Sequence, residues 1–363
     1  MKRRYPPVWL CAIFLLLALL WRMVGAPVTA EQLQGLETPL WQARIQFPMR
    51  MERILRLWQG SDPQQEVQTM AEEQPQEPEV EQDSIPVNVY LVQEKQLVQM
   101  TLEGYVCGVL AAEMPARYHM EALKAQAVAA RTRVLRQMEA GGCADHPGAD
   151  ICTDSAHCQG YATLAQCRQL WQDSYEAYRD RILQAEKETR AQVLTYDGEL
   201  ITVLYHAMSG GRTEDAATVF SQSVPYLVSV ESDGEEEASG FWQETYLSYG
   251  QIAEKLNAAA GIDLSEEEIR RTLSIGSYTE TGRVGMIHIG NQEMTGASFR
   301  NALGLRSTWF SISMDEKGVT FQQRGYGHGV GMSQVGANSM AANGAAHTAI
   351  LSHYYPGTTL ETR

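Results

Sequence analysis

Apolar and polar positions first fall into a regular order near residue 85. Val87, Val89 and Leu91 alternate with polar or aromatic neighbours, Glu94 and Lys95 form a turn, and a second run ends at Met100, which predicts a β-hairpin. The period then lengthens. Residues 105–113 and 120–138 carry apolar side chains at helical spacing, the first stopped ahead of Pro115, the second rich in alanine and closed by Gly141 and Gly142. A loop dense in cysteine and histidine follows, then a helix over 166–185. A strand at 201–205 opens a β-containing half that continues through 226–230, a glutamate-rich insertion at 235–238 and a helix near 252–260. Residues 309–313 and 319–323 flank a turn at 315–318 as a second hairpin, ahead of a glycine-rich loop and a last helix. Strands and helices are grouped rather than alternating, so the fold class is α+β, a single domain over 85–363.

The residues before 85 read differently. Lys2, Arg3 and Arg4 precede an apolar run over 8–21, the pattern of a segment that enters a membrane with its N-terminus in the cytoplasm and the body outside. Residues 1–30 are read as a cytoplasmic tip and retained membrane helix. A cleaved signal peptide is the rival, because the run is short for a span and Val28, Thr29 and Ala30 resemble a cleavage site. Residues 31–84 hold a candidate stalk helix marked by Ile45, Ile54, Leu55 and Leu57, then a stretch of Gln, Glu and Pro too poor in apolar residues to offset its ordering entropy, read as a linker.

Composition narrows the partners. With 363 residues and 44% hydrophobic content the chain can build a substantial core, and a net charge of −15 argues against nucleic acid, which is bound through basic patches. A sparsely charged polymer is compatible with that balance.

Three constellations carry chemistry. In the first, Val106, Leu110 and Glu113 fall near i, i+4 and i+7, so the carboxyl extends an apolar stripe. Desolvation and the negative end of the helix dipole both favour its protonated form, as a general acid requires. The plainer alternative is a buried structural glutamate that accepts backbone hydrogen bonds or pairs with Lys124 or Arg131. In the second, His146, Cys152, His157 and Cys158 would complete a tetrahedral zinc with no open position, hence a structural one, which leaves little room for a zinc peptidase. Cys143 or Cys167 could replace one ligand, and a disulfide between Cys152 and Cys158 is the competing account. The third comprises residues 205–211 and 325–334, where glycines bring backbone N–H groups close to a ligand such as a sugar hydroxyl. Neither a nucleotide loop nor a serine-hydrolase elbow fits their spacing, and a ligand-free glycine turn remains the bland alternative.

The stretches GVLAAEMPARYHMEALKAQAVAARTR, HPGADICTDSAHCQGY, YHAMSGGRTE and RGYGHGVGMSQVGANSMA resemble the stage II sporulation protein D family of endospore-forming bacteria. The chain departs from it in the acidic linker and the 235–238 insertion. The resemblance implies an extracytoplasmic lytic transglycosylase that cleaves peptide-stripped peptidoglycan strands to 1,6-anhydromuramyl products during forespore engulfment, beside a partner amidase and membrane proteins of the engulfment machinery. It places the acid/base on Glu113, structural zinc on His146, Cys152, His157 and Cys158, and substrate contacts on Ser209, Gly210, Gly211, His328, Ser333 and Gln334. Lys124 and Arg131, seven apart on one helical face, are expected to orient Glu113 or the sugar. The alternative is a non-catalytic wall-binding module that stimulates an amidase.

Overall fold

The computed structural model describes residues 85–261 and 263–363, and the expected anchor, stalk and linker lie outside them. Among the described residues no helix is long and apolar enough to cross a membrane.

The chain opens with the expected hairpin, β1 (Pro86–Leu91) and β2 (Gln96–Thr101), in antiparallel register from Pro86↔Thr101 to Leu91↔Gln96. Helix α1 (Leu102–Glu113) starts where Thr101 Oγ1 accepts the Gly104 N–H. It stops at Met114, whose extended backbone is what the residue before a proline adopts. Helix α2 (Met120–Glu139) is the hub of the first core. Ala122, Ala125, Ala127, Ala129 and Ala130 are buried along it, and their small side chains allow other helices to approach closely.

The rest follows as β3 (Ile151–Cys152), α3 (Leu164–Trp171), α4 (Tyr175–Glu188), β4 (Gln192–Tyr196), β5 (Glu199–Leu200), β6 (Tyr205–His206) and α5 (Ala216–Phe220). Then come β7 (Trp242–Ser248), α6 (Tyr249–Ala260), α7 (Glu266–Thr272), β8 (Ser274–Tyr278), β9 (Val284–Ile289), β10 (Gln292–Thr295) and α8 (Gly296–Leu303). The chain finishes with β11 (Phe310–Met314), β12 (Gly318–Arg324), β13 (Met332–Ser333), α9 (Gln334–Ala342), α10 (His347–Tyr354) and β14 (Thr359–Thr362).

Among the described residues two large apolar cores form, with a small third cluster of Ala111, Cys167 and Tyr175. The first joins β1, α1, α2, α9 and α10 through residues such as Leu110, Leu123, Ile350 and Tyr354. The second joins the sheets β10-β9-β8 and β11-β12-β7 to α6, α7 and α8 around Phe299, Phe310 and Phe321. Class α+β is what the structure has. Several elements differ from their sequence pattern, each for a local reason. The helix expected over 166–185 is divided, because Gln172 takes a left-handed φ of 44° and closes α3 before α4 begins. The apolar run at 201–205 fills the core with Ile201 and Val203, and only Tyr205 and His206 enter a ladder, pairing in parallel with β13. Residues 226–230 form no strand; the carbonyls of Leu227 and Val230 accept isolated bonds from the N–H groups of Ala216 and Thr213.

Candidate active site and metal centre

Glu113 is the last residue of α1, and four segments surround its carboxyl. Its Oε1 accepts the Gly160 N–H at 2.7 Å, and its Oε2 accepts from Gln334 Nε2, at the start of α9, over a long 3.4 Å. Gly160 has no side chain for a steric reason, since a Cβ there would stand 2.9 Å from Oε1. Burial raises the Glu113 pKa above the ordinary carboxyl value, against the opposing pull of those two donors and of Arg133. Around it lie the half-buried phenol of Tyr205, which donates to Gln159 Oε1 at 2.8 Å, and the buried Gln126, which takes a long 3.5 Å bond from Gln334. The arrangement is a carboxyl whose charged form burial disfavours and whose two donors offset that only in part.

The loop that carries Gly160 begins at a cluster of soft ligands. Cys143, Cys152, His157 and Cys158 bring their ligand atoms within 4.8 Å of one another. The three sulfurs stand 3.6, 3.5 and 3.3 Å from His157 Nδ1, close to the sulfur-to-nitrogen edge of about 3.6 Å that tetrahedral zinc bond lengths imply. His157 Nε2 faces Asp145 Oδ2 at 3.5 Å, the outer carboxylate that commonly orients a metal-binding imidazole. Burial pushes the Cys158 thiol up to about 12 and raises Cys152, so the thiolates a metal needs are costly here without a cation to pair them. The residues therefore fit a soft divalent ion, and the cysteines are free thiols, not a disulfide. His146 was expected among the ligands and is not there. Its ring stacks on Tyr90 with centroids 3.9 Å apart, and Cys143 takes its place.

The glycine-rich segments also depart from expectation. Gly210 and Gly211 have φ of 86° and 105°, a conformation that turns successive N–H groups inward to form an anion-binding nest. An internal carboxylate fills that nest. Glu235 Oε2 accepts from the N–H groups of Gly210 (2.7 Å) and Gly211 (3.3 Å). Its Oε1 accepts from Ser209 N (3.2 Å) and from the hydroxyls of Ser209 (2.9 Å), Ser232 (2.7 Å) and Ser333 (2.5 Å). Ser209, Gly210, Gly211 and Ser333 therefore spend their donors inside the protein and are not free to meet a sugar. Glu235 sits in the 235–238 insertion, and a run of three glutamates reads as a solvated turn, so no sequence signal distinguished the buried one from its neighbours. His328 is packed against His206, centroids 5.5 Å apart, and against Phe220. Burial and nearby cations lower its pKa to about 4 and hold it neutral.

Lys124 and Arg131 do not reach Glu113. Lys124 Nζ is paired with Glu121 (2.6 Å) and Glu188 (2.5 Å). Arg131, fully buried, binds Glu103 and the carbonyls of Thr189 and Gln192. On one straight helix their spacing aligns them, but the face they share packs on α4 and β4, away from the end of α1. Of the expected site residues, the structure brings Glu113 and Gln334 together and joins Ser333 to them through the chain.

Residues 91–196 match the family model described as stage II sporulation protein. Stage II sporulation protein D of Bacillus amyloliquefaciens is 32% identical over 289 residues, covering 80% of this chain and 82% of that protein. Its namesake in Bacillus subtilis (strain 168) is 33% identical over 276 residues, 76% and 79% of the two chains. The amidase enhancer of Bacillus subtilis (strain 168) is 28% identical over 301 residues, 70% of this chain but 40% of that protein. Likeness of this extent to two sporulation proteins spans both the Glu113 helix and the Cys/His loop, and the chain belongs to the stage II sporulation protein D family.

Proposed function

We propose that the chain is a lytic transglycosylase that cleaves peptide-stripped peptidoglycan glycan strands to 1,6-anhydromuramyl products during sporulation engulfment, with Glu113 as general acid and then base. The observation that carries this is the Glu113 carboxyl, desolvated and under-donated at the end of α1. Glu113 gives its proton to the glycosidic oxygen as the bond to C1 breaks, leaving a carboxylate beside an oxocarbenium-like carbon. That carboxylate takes the proton of the C6 hydroxyl on the same sugar, O6 closes onto C1, and Glu113 is protonated again without consuming water. Hydrolysis would ask for a second carboxyl group. That second group would stand roughly 5–9.5 Å from the first, and the ends of the product strands tell the two routes apart.

Cys143, Cys152, His157 and Cys158 would hold a structural zinc, which supplies a rigid closure of the loop and has no position left for a reactive water. Cys158 lies two residues before Gly160, so the ligand set fixes the N–H that grips Glu113. In this proposal residues 1–30 anchor the chain in the cell membrane with the catalytic domain outside. A partner amidase removes stem peptides first, beside membrane proteins of the engulfment machinery. The relative named amidase enhancer favours a second role, stimulation of that amidase.

Mass spectrometry of purified, peptide-free strands digested with the parent chain and with Glu113→Gln tests both. Anhydro ends from the parent alone are expected. Reducing muramic ends would rule out the transglycosylase route, and equal cleavage by the variant would remove Glu113 from the chemistry. Stimulation of an amidase with no cleavage by either protein would leave only the second role.

A further inference from the structure

A buried carboxylate accepts hydrogen bonds and donates none, and each hydroxyl has one proton to give. The directions around Glu235 are therefore fixed. Ser209, Ser232 and Ser333 all point their protons at it, which leaves their oxygens to accept. Ser209 Oγ accepts the Gly211 N–H at 3.1 Å, and Ser232 Oγ accepts from the Tyr354 hydroxyl at 2.7 Å. Ser333 Oγ accepts the Gly336 N–H at 3.1 Å and so caps α9. One side chain thus ties together the 209–211 loop, the Ser232 turn, α10 and the first turn of α9. Residue 336 must be glycine for this to close, because a Cβ there would meet Tyr354 and Ser232 at 2.1 and 2.2 Å. From the other side Arg283 donates to the carbonyls of Ser209 and Arg212, both at 2.7 Å, so the loop is held at its acceptors as well as its donors.

Ser333 is the cap of α9 and Gln334 its first residue, whose amide reaches Glu113. We propose that Glu235 is a positioning residue for Glu113. By fixing the Ser333 hydroxyl and the 209–211 amides it sets the start of α9, and with it the place of the Gln334 amide against Glu113 Oε2. The inference rests on the reading of Glu113 as the acid of the proposed function, and it adds a residue that touches no substrate.

The test reads Glu113 itself. Its surroundings are the Gly160 N–H from the metal loop, Gln334 from α9, the guanidinium of Arg133 on α2 and the phenol of Tyr205 on β6. Carboxyl carbon resonances of glutamate-labelled full-length chain are followed by NMR through a pH titration, with Glu113 assigned by its loss in Glu113→Gln. The Gln334 donor favours the charged form, so Gln334→Ala moves the midpoint to higher pH. Glu235→Gln is expected to move it the same way, with the double variant moving no further than the larger single change. Ser333→Ala removes both the Glu235 bond and the Gly336 cap at the start of α9, and supplies the same overturning result if Glu235→Gln does not fold. A Glu113 midpoint unchanged from the parent in Glu235→Gln or Ser333→Ala, while Gln334→Ala moves it, overturns the proposal. A strand-cleavage assay on the same samples keeps the two ideas apart. Absent cleavage by the parent chain would defeat the proposed function, whereas the titration reports the positioning in either case.

Discussion

Glu113 and Glu235 are the same residue in two opposite settings. Glu235 is completely enclosed and receives six hydrogen bonds, three from backbone amides and three from hydroxyls. Glu113 has one good donor and one stretched one, beside the exposed Ala112. Enough donors make a carboxylate a stable structural anchor; withholding them leaves a group whose charge is costly. Burial separates the two as well, Glu235 being fully enclosed and Glu113 half-buried, and the count and quality of donors differ in the same sense.

The contrast can be broken most severely at Glu113. Glu113→Gln is expected to lower strand cleavage by about 10³-fold or more, roughly 4 kcal/mol of transition-state stabilisation, as removal of a general acid does, with the circular dichroism of the parent retained. Glu235→Ala strands several buried N–H and O–H groups at once and should cost about 3 kcal/mol in urea unfolding. A cost near zero would mean that the nest does not need its carboxylate. Cys158→Ser, or treatment with a strong chelator, should lower cleavage by roughly tenfold by loosening the Gly160 N–H, with metal content measured in parallel. Unchanged activity in metal-free protein would detach the loop from the site.

The pH dependence sharpens the comparison further. Glu113 titrates above the usual carboxyl value when folded, so as pH rises past about 4.3 the unfolded chain releases this proton first, and stability declines until the folded group also loses it. Denaturation across that window should show a shallower decline in Glu113→Gln, and cleavage by the parent should fall as pH climbs through the raised value. The smallest effect is expected at Lys124→Ala. Its partners Glu121 and Glu188 are partly solvent-exposed, so activity should stay within about threefold and stability within about 1 kcal/mol. A loss like that of Glu113→Gln would place Lys124 back in the site.

Local patterns carried much of this in the amino-acid order. The hairpin at 86–101, α1 and α2 follow from alternation, an N-cap and a proline, all properties of neighbours in sequence. Glu113 stood out for a similar reason, as a charge on an apolar stripe. What sequence could not supply was the partner across space. Residues 201–205 have a strand's composition, yet whether they pair depends on what lies alongside, and most of the run packs instead. By sequence His146 is the expected ligand and Cys143 or Cys167 a candidate replacement, whereas in the fold His146 stacks on Tyr90 and Cys143 joins the cluster. The nest was legible from its glycines, but its occupant came from a run of acidic residues with no apolar periodicity to mark one as buried.

The contact between Glu113 and Gln334 joins residues 221 positions apart. A nascent chain interrupted anywhere ahead of α9 therefore contains Glu113, Arg133 and Gly160 but not the Gln334 amide that completes their set.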